Sequence, residues 1–398
     1  MKPWVRLLPL AVFLVILPFP GTVALRLFAL AAGLIVCAWT WHKAGFPQVP
    51  AKTALLLWGG CALLSLASAV NPGYSLGEIK NEVGYAMAAY LVFLTLSRTV
   101  EDARFLALTL IVANLTISAL ALSDHYLLVR GAWKEDGLAG GSGSYSTYLI
   151  TIMPALLWAG LVLDNKYRLA LGLIALQLAM AIATGQRMFW LAFAVQLLFA
   201  LYLLRARGFI ALSNARLRLV AAAVLVLALL AMVAMTGKRY DGQGAAFWAQ
   251  DARPAVWSGV VSRIQEHPLT GSGFGQQTMK AAYPDLVSRE NKEVWHPHNV
   301  FLNYGIAMGI PGVVALVLLF AALLRCFWRL SRSDDHTLAL AGICGVTLVA
   351  GVVARNLAND FFQRDQALLF WSIAGMMLGY AQHVRSVPDA VARPSPVQ

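Results

Sequence analysis

The chain has 398 residues, of which 59% are hydrophobic and 13% are charged, and its formal net charge is +12 at pH 7. Soluble domains carry about 25% charged residues, so the composition excludes an ordinary soluble protein. Many apolar runs of about 17–25 residues predict an all-α polytopic membrane protein rather than a β-barrel, whose short alternating segments are missing from the sequence. Basic residues lie mainly at the ends of these runs, which indicates membrane topology and no nucleic-acid partner.

The apolar runs predict about twelve transmembrane helices. They are expected at 4–20, 23–41, 53–70, 80–97, 104–128, 145–163, 168–184, 188–204, 217–236, 299–327, 337–354 and 366–383. The first run begins like a signal peptide but lacks a convincing cleavage site, so we expect it to be retained as a helix. Four units follow: helices 1–9 in 1–236, a loop in 237–298, helices 10–12 in 299–385 and a disordered, Pro-rich tail in 386–398.

The distribution of Lys and Arg predicts the orientation. Short loops on the side that would hold both termini carry most of the basic residues, which places that side in the cytoplasm. The loop 237–298 of this multi-pass protein then lies outside the cytoplasm. Within this loop, 254–267 has the apolar spacing of a short amphipathic helix. The segment 281–294 is polar and is expected to hold a second short helix.

The loop ends in two histidines, His296 and His298, followed by Asn299. A neutral imidazole accepts protons near pH 7, so His298 is the candidate general base for a sugar hydroxyl. A helix-capping or interfacial histidine is the alternative. A metal site would need a third ligand, and Glu293 is the nearest candidate, so we expect neither a metal nor a cofactor. The four cysteines lie in or beside apolar runs and fit no metal or disulfide pattern.

Arginines near the predicted membrane surface are candidates for binding an anion. Arg187 lies in a short Thr-Gly-Gln-Arg turn at the start of a helix, where exposed amides favour phosphate. Arg253 precedes Pro254, with Trp257 four residues later, and its guanidinium could bind phosphate with two hydrogen bonds. The alternatives are lipid headgroup contacts for Arg187, and solvent exposure or stacking on Trp257 for Arg253. Arg263 is a weaker candidate.

Two further sets of residues are interpreted as parts of the helix packing in preference to contacts with a ligand. The last external loop could line the same cavity, but ion pairs between helix ends are favoured for its residues Arg355, Asn356, Asp360, Arg364 and Asp365. Gly309 and Gly312 are expected at packing or kink positions. The chain has no Asp-x-Asp motif, which disfavours a metal-dependent nucleotide-sugar transferase.

Three features resemble the O-antigen ligase family, which also contains O-antigen polymerases and bacterial protein O-oligosaccharyltransferases. One is Arg253-Pro-Ala-Val-Trp257 followed by His267-Pro-Leu-Thr-Gly-Ser-Gly-Phe-Gly275. Another is His298-Asn299, then nine residues, Gly309, two residues and Gly312. The third, Arg187 in its Thr-Gly-x-Arg turn, is looser. The motifs cover roughly a quarter of the chain, and the predicted topology agrees over the rest.

The resemblance implies a GT-C-like membrane glycosyltransferase. Its donor would be a polysaccharide on undecaprenyl diphosphate, its acceptor lipid A–core, and its reaction metal-independent and inverting. His298, Arg187 and Arg253 would be catalytic. The substrate-binding residues would be Arg187, Arg253, Asn299, Trp257, His296 and Arg263.

Alternatives remain at this stage. A polysaccharide polymerase would use the same motifs, whereas protein-glycosylating relatives usually carry a long additional C-terminal domain. A lipid-linked glycan transporter would place charges near the membrane midplane, where only Arg26 and Asp124 are candidates. A structural membrane protein would tolerate the loss of His298.

Overall fold

The computed structural model describes residues 3–123, 140–164, 166–239, 253–287, 296–360, 362 and 364–386. Several predictions fall outside these ranges. They concern Asp124, Glu293, the second half of the predicted helix 281–294 and nearly all of the tail 386–398.

All regular structure in the described residues is helical. The helices are α1 (Pro3–Ile16), α2 (Val23–Ala44), α3 (Lys52–Leu64), α4 (Pro72–Glu78), α5 (Tyr85–Leu96), α6 (Val100–Leu122), α7 (Ser142–Val162), α8 (Tyr167–Thr184), α9 (Arg187–Ala206), α10 (Asn214–Arg239), α11 (Arg253–Glu266), α12 (Thr278–Ala282), α13 (Val300–Ser331), α14 (His336–Asn356) and α15 (Arg364–Ser386). Short 3₁₀ turns cover Ser65–Ser68 and Pro284–Leu286, and a π-helical turn covers Ile79–Gly84.

Nine helices within the described ranges are long and apolar enough to cross a membrane. They are α2, α6, α7, α8, α9, α10, α13, α14 and α15. The prediction of an all-α polytopic membrane protein is therefore confirmed. The other three predicted spans correspond to α1, to α3 with its 3₁₀ turn, and to α4–α5, which are shorter or interrupted helices.

The interior of the bundle is formed mainly by α7, α14 and α15. Their most apolar stretches are 94%, 83% and 83% buried, respectively, whereas that of α10 is only 6% buried. Helix α10 packs chiefly on α9 and presents leucine and valine side chains outward. Because an apolar surface of this kind is stable only in hydrocarbon, α10 lies at the lipid-facing edge of the bundle.

Small and amide residues hold the interior helices together. Gly375 and Gly379 on α15 face α5 so closely that an added methyl group would lie 2.5 and 2.4 Å from the carbonyl oxygens of Tyr90 and Leu94. On α9, the amide of Gln196 donates to carbonyls of α7 and α14 at 2.8 and 3.2 Å. Small residues and polar bonds of this kind are how helices associate without a hydrophobic driving force.

Helix α13 is interrupted at Gly309, which has φ +70°. The carbonyls before the interruption are bonded to a loop rather than to the next helical turn. Ser272 and Gly273 donate their amides to the carbonyls of Ile306 and Ala307 at 2.9 and 3.0 Å. The amide of Ile310 donates in turn to the carbonyl of Pro268 at 2.7 Å.

The docked loop, 267–275, therefore completes the hydrogen bonding of α13. An added methyl group on Gly271 would lie 2.4 Å from the carbonyl carbon of Ala307, and one on Gly309 would lie 2.6 Å from the Pro268 oxygen. These close approaches explain why glycine occupies positions 271 and 309. The prediction that Gly309 is a kink position is confirmed. The docking also fixes the predicted amphipathic helix, found as α11, above the start of α13.

Candidate active site

Asn299 fixes the start of α13. Its Oδ1 accepts the amides of Phe301 and Leu302 at 2.9 and 3.2 Å, which is a helix N-cap. Its Nδ2 donates to the Leu357 carbonyl at 2.7 Å, just after the end of α14. The side chain predicted to contact substrate thus joins two helix ends, and it fixes the position of the residue before it, His298.

His298 lies in a left-handed turn that brings it against His296. Its φ is +51°, which is unusual for a residue other than glycine. Its amide donates to Nδ1 of His296 at 3.2 Å, and the two ring centroids are 3.8 Å apart. The backbone turn therefore holds two imidazoles in contact at the start of α13.

The environment of His296 keeps its ring neutral. The side chain is buried, and burial lowers its pKa to about 3, with further lowering by the positive charges of His298 and Arg253. Its Nδ1 already accepts a hydrogen bond, so the neutral ring carries its proton on Nε2. Because two touching imidazoles rarely both carry charge, a neutral His296 imposes no positive charge on the His298 ring beside it.

Helix α11 brings Arg253 and Trp257 to the histidines. The indole Nε1 of Trp257 donates to the carbonyl of Pro297 at 2.7 Å, between the two rings. Arg253 lies one helical turn before Trp257 on the same face of α11. Its guanidinium group is close enough to interact electrostatically with both His296 and Arg355. The structure thus brings together four of the predicted site residues, Arg253, Trp257, His296 and His298.

Arg187 begins α9 at the same end of the bundle. The neighbouring Gln186 donates from Nε2 to Ser142 Oγ at 2.9 Å, at the start of α7. The same turn of α7 receives Arg355, whose Nη2 donates to Ser146 Oγ at 2.7 Å and to the Gly143 carbonyl at 3.3 Å. The beginning of α7 therefore connects the Arg187 turn to the end of α14.

Arg355 and Asp360 belong to the site more closely than the sequence indicated. Arg355 is fully buried, and Asp360 is only 3% exposed. The Asp360 Oδ2 lies 3.9 Å from His296 Nδ1, and Gln276 donates to the Asp360 carbonyl at 3.3 Å. Burial raises the pKa of Asp360 to about 7, which the Gln276 amide partly offsets. In the sequence, both residues follow a long apolar run in the last external loop, and this position was the signal that could have indicated a place in the site.

Arg263 has a different setting from the other predicted arginines. It forms ion pairs with Glu266 and Asp285, both at 2.9 Å, and its guanidinium lies 5.4 Å from the Tyr283 ring. These contacts join α11 to the 3₁₀ turn Pro284–Leu286. Arg263 therefore stabilises the packing of α11 on this turn, from the outer side of the helix.

Two of the five residues predicted to form ion pairs in the last external loop, Arg364 and Asp365, do so between helix ends. Arg26 near the start of α2 pairs with Asp365, and Arg364 lies 3.7 Å from Glu78. Between these elements is a cavity of about 260 Å³ that also has apolar lining from Val23, Leu27 and Leu368. Arg26 is therefore at a helix end and does not mark a charge at the membrane midplane.

Within the described part of the chain, no group of three His, Cys, Asp or Glu side chains could hold a metal ion. The charges that converge at this end of the bundle are instead those of arginines, together with histidines that can exchange protons. Such a set of groups suits an anionic substrate and a reaction that needs a base.

Comparison with known proteins agrees with this arrangement. A family model described as O-antigen ligase matches residues 172–317, from α8 into α13. The match includes Arg187, Arg253, Trp257 and His298. No curated protein matches the chain significantly. Taken with the helical architecture and the motifs, this match over part of the chain supports membership of the O-antigen ligase superfamily and a ligase- or polymerase-type function in polysaccharide synthesis.

Proposed function

We propose that the protein is an O-antigen ligase. It transfers O-antigen polysaccharide from undecaprenyl diphosphate to lipid A–core at the periplasmic face of a bacterial inner membrane, with both termini in the cytoplasm. The observation that carries this proposal is the contact of His298 with a neutral imidazole, beside Arg253 and the buried Arg355. A base and several guanidinium groups at one end of a membrane bundle suit a lipid-borne diphosphate.

The reaction follows from these positions. His298 accepts the proton of an acceptor sugar hydroxyl while that oxygen attacks the anomeric carbon of the donor. The bond from the anomeric carbon to the diphosphate oxygen breaks, and undecaprenyl diphosphate leaves with the electron pair. One direct displacement inverts the configuration of the anomeric carbon.

Arginines stabilise the leaving diphosphate in place of a metal ion. Arg253 lies one turn before Trp257, whose indole is bonded to Pro297 between the histidines, and Arg187 begins α9 beside the α7 turn that holds Arg355. Guanidinium groups bind phosphate oxygens with paired hydrogen bonds, and they act most strongly where water is excluded. Transfer is therefore expected to continue unchanged in EDTA.

The lipid parts of the substrates need an apolar route to the site. The cavity of about 260 Å³ between α2 and α15 is lined by leucine and valine side chains, by Arg364 and by the Arg26–Asp365 ion pair. Its apolar lining fits a hydrocarbon chain, and the charged groups mark the depth of the lipid headgroups. We assign this opening to the approach of a lipid-linked substrate.

Reconstitution with defined substrates tests the proposal. Purified full-length protein is incubated in proteoliposomes with undecaprenyl-diphosphate-linked polysaccharide and lipid A–core, with and without EDTA, and the products are separated by size. Glycan on lipid A is the expected result. Chain extension on the lipid carrier would identify a polymerase instead, and movement of intact donor across the bilayer without transfer would identify a transporter.

A further inference from the structure

The face opposite the candidate active site contains a larger cavity. It has a volume of about 630 Å³ and lies where α5, α13 and α15 end, beside the loop between α2 and α3. Helix α13 starts at the histidines and is 32 residues long, so its far end is on the other side of the bundle. The cavity is therefore separate from the proposed reaction centre.

Basic and apolar side chains line this cavity together. Arg98, Arg329 and Arg385 contribute guanidinium groups, and Leu94 and Leu378 contribute hydrocarbon. Among the described lining residues there is no aspartate or glutamate. A site with this lining favours an anionic head attached to an apolar tail.

Three arginines on the same face are bonded to protein oxygens, unlike the arginines of the cavity. Arg6 pairs with Asp102, Arg104 pairs with Asp164, and Arg207 donates to the Ser333 carbonyl at 2.6 Å. Within the described ranges, no protein hydrogen bond or ion pair is formed by the side chains of Arg98, Arg329 and Arg385. Their positive charges are thus available to a ligand in the cavity.

We propose that this cavity binds the phosphate group of an anionic glycerophospholipid. Guanidinium groups bind phosphate oxygens in pairs, and several of them offset the electrostatic cost of placing an anion near helix carboxyl ends. The volume exceeds that of a phosphate ion alone, which leaves room for a glycerol backbone along Leu94 and Leu378. The alternative is that the arginines only neutralise the carbonyl ends of α13 and α15 and bind nothing.

Two arginines on one helix provide a matched comparison. Arg329 lines the cavity, whereas Arg325, one turn earlier on α13, is exposed and does not line it. Arg329→Gln and Arg325→Gln remove the same charge from the same helix. If the phospholipid is held only by general attraction to positive charge, its binding should weaken equally in both variants. If it is held in the cavity, its binding should weaken only in Arg329→Gln.

The test uses full-length protein in nanodiscs of phosphatidylcholine with increasing phosphatidylglycerol, followed by native mass spectrometry of the released complex. We expect wild type to retain phosphatidylglycerol, Arg329→Gln to bind it about tenfold more weakly, and Arg325→Gln to match wild type within about twofold. Arg385→Gln serves as a second cavity variant if Arg329→Gln does not fold. Equal retention in all variants, or equal loss in both members of the pair, would overturn the proposal.

A competition arm identifies the source of the phosphate. Millimolar inorganic phosphate is added to wild type that already holds phosphatidylglycerol. Continued retention supports a lipid headgroup as the ligand. Displacement would show that the cavity prefers a soluble phosphate and would overturn the assignment to a lipid.

Discussion

His296 and His298 show how residues of one type acquire different properties two positions apart. His296 is buried with its Nδ1 bonded to the His298 amide, and its pKa is lowered to about 3 by burial and by nearby positive charges. It remains neutral at physiological pH. His298 is held against it in a strained turn and is the residue to which we assign the base.

We expect His298→Ala to reduce glycan transfer by about 10²–10⁴-fold, because general base catalysis contributes that much to such reactions. The melting temperature of the variant should change little. His42→Ala, at an exposed position near the end of α2 on the opposite face, is the control and should keep wild-type rates. Transfer by His298→Ala at more than a tenth of the wild-type rate would remove this residue from the mechanism.

The pH dependence of stability should reflect two buried groups with opposite effects. His296, with its pKa lowered from 6.5 to about 3, stabilises the fold above pH 6.5, and this contribution is lost as pH falls towards 3. Asp360, with its pKa raised from 3.8 to about 7, stabilises the fold below pH 3.8, and this contribution is lost as pH rises through 7. Between roughly pH 4 and 6.5 the two slopes, about 1.4 kcal/mol per pH unit each, nearly cancel.

Single variants should separate these two slopes. Asp360→Asn leaves the His296 contribution, so its stability should rise with pH over roughly pH 4 to 6.5. His296→Gln leaves the Asp360 contribution, so its stability should fall over the same range. Thermal unfolding in detergent, followed by tryptophan fluorescence, measures both. Parallel pH profiles for the two variants would contradict the assigned pKa values.

Arg253 is expected to contribute through geometry as well as charge. Arg253→Gln should lower the transfer rate by about 10²–10³-fold, because the removal of one group that stabilises charge in a transition state has an effect of this size in other enzymes. Arg253→Lys keeps the charge but loses the paired hydrogen bonds, so it should recover only part of this loss. The control is Arg216→Gln at an exposed position of α10. Full activity of Arg253→Lys would show that charge alone is sufficient.

The sequence indicated those candidate site residues that stand in local motifs. His298, Asn299, Arg253 and Trp257 were identifiable because each stands in a short motif at the edge of an apolar run. Arg355 and Asp360 were assigned to ion pairs, because their relation to Ser146 and His296 depends on how α7, α13 and α14 pack. A pattern within one segment contains no information about such partners.

At the level of secondary structure, the decisive feature is the interruption of α13. The sequence indicated Gly309 as a packing or kink position, and the helix is kinked there. The sequence did not indicate that the amides of Ser272 and Gly273 would replace the missing helical donors. That pairing joins residues more than thirty positions apart and depends on three-dimensional packing.

Gly309→Ala should therefore be strongly destabilising. Gly309 has φ +70° and ψ −169°, a backbone conformation that is essentially restricted to glycine and costs other residues about 1–3 kcal/mol. An added methyl group would also lie 2.6 Å from the Pro268 oxygen. Because the first half of α13 follows directly after His298, we also expect about 10- to 100-fold lower activity from misplacement. Differential scanning fluorimetry and the transfer assay measure the two effects.

Gly172→Ala is the matched control for this variant. Gly172 lies within α8, and nothing is within 4 Å of the position of an added methyl group. Alanine in a helix is favoured over glycine by about 0.5–1 kcal/mol, so this variant should be neutral or slightly more stable. Similar melting temperatures for Gly172→Ala and Gly309→Ala would contradict the role given to the kink.

At the scale of the whole molecule, the helical bundle has two different ends. One holds the histidines, Arg187 and Arg355, and the other holds the basic cavity at the ends of α5, α13 and α15. Composition and apolar runs were sufficient to predict the fold class. They were less informative for α1, α3 and α4–α5, where short or interrupted helices gave apolar runs as long as those of complete spans.

The orientation of the two ends can be tested by labelling. Ser262→Cys is exposed on α11 at the active-site end, and Ser213→Cys is exposed before α10 at the other end. In intact spheroplasts, a membrane-impermeant maleimide should react with the first and should reach the second only after lysis. None of the four native cysteines is exposed, and the unmodified chain provides the background. Reversed labelling would place the site in the cytoplasm.

The interruption of α13 also has a consequence for biogenesis. The segment 267–275 is synthesised before α13, yet the carbonyls of Ile306 and Ala307 gain their partners only when that segment packs against them. Until then the membrane helix has exposed acceptors near its broken turn, which are costly in hydrocarbon. Insertion of α13 and folding of the preceding extramembrane segment are therefore a single coupled step, and the reaction centre is completed only when that helix reaches its final depth.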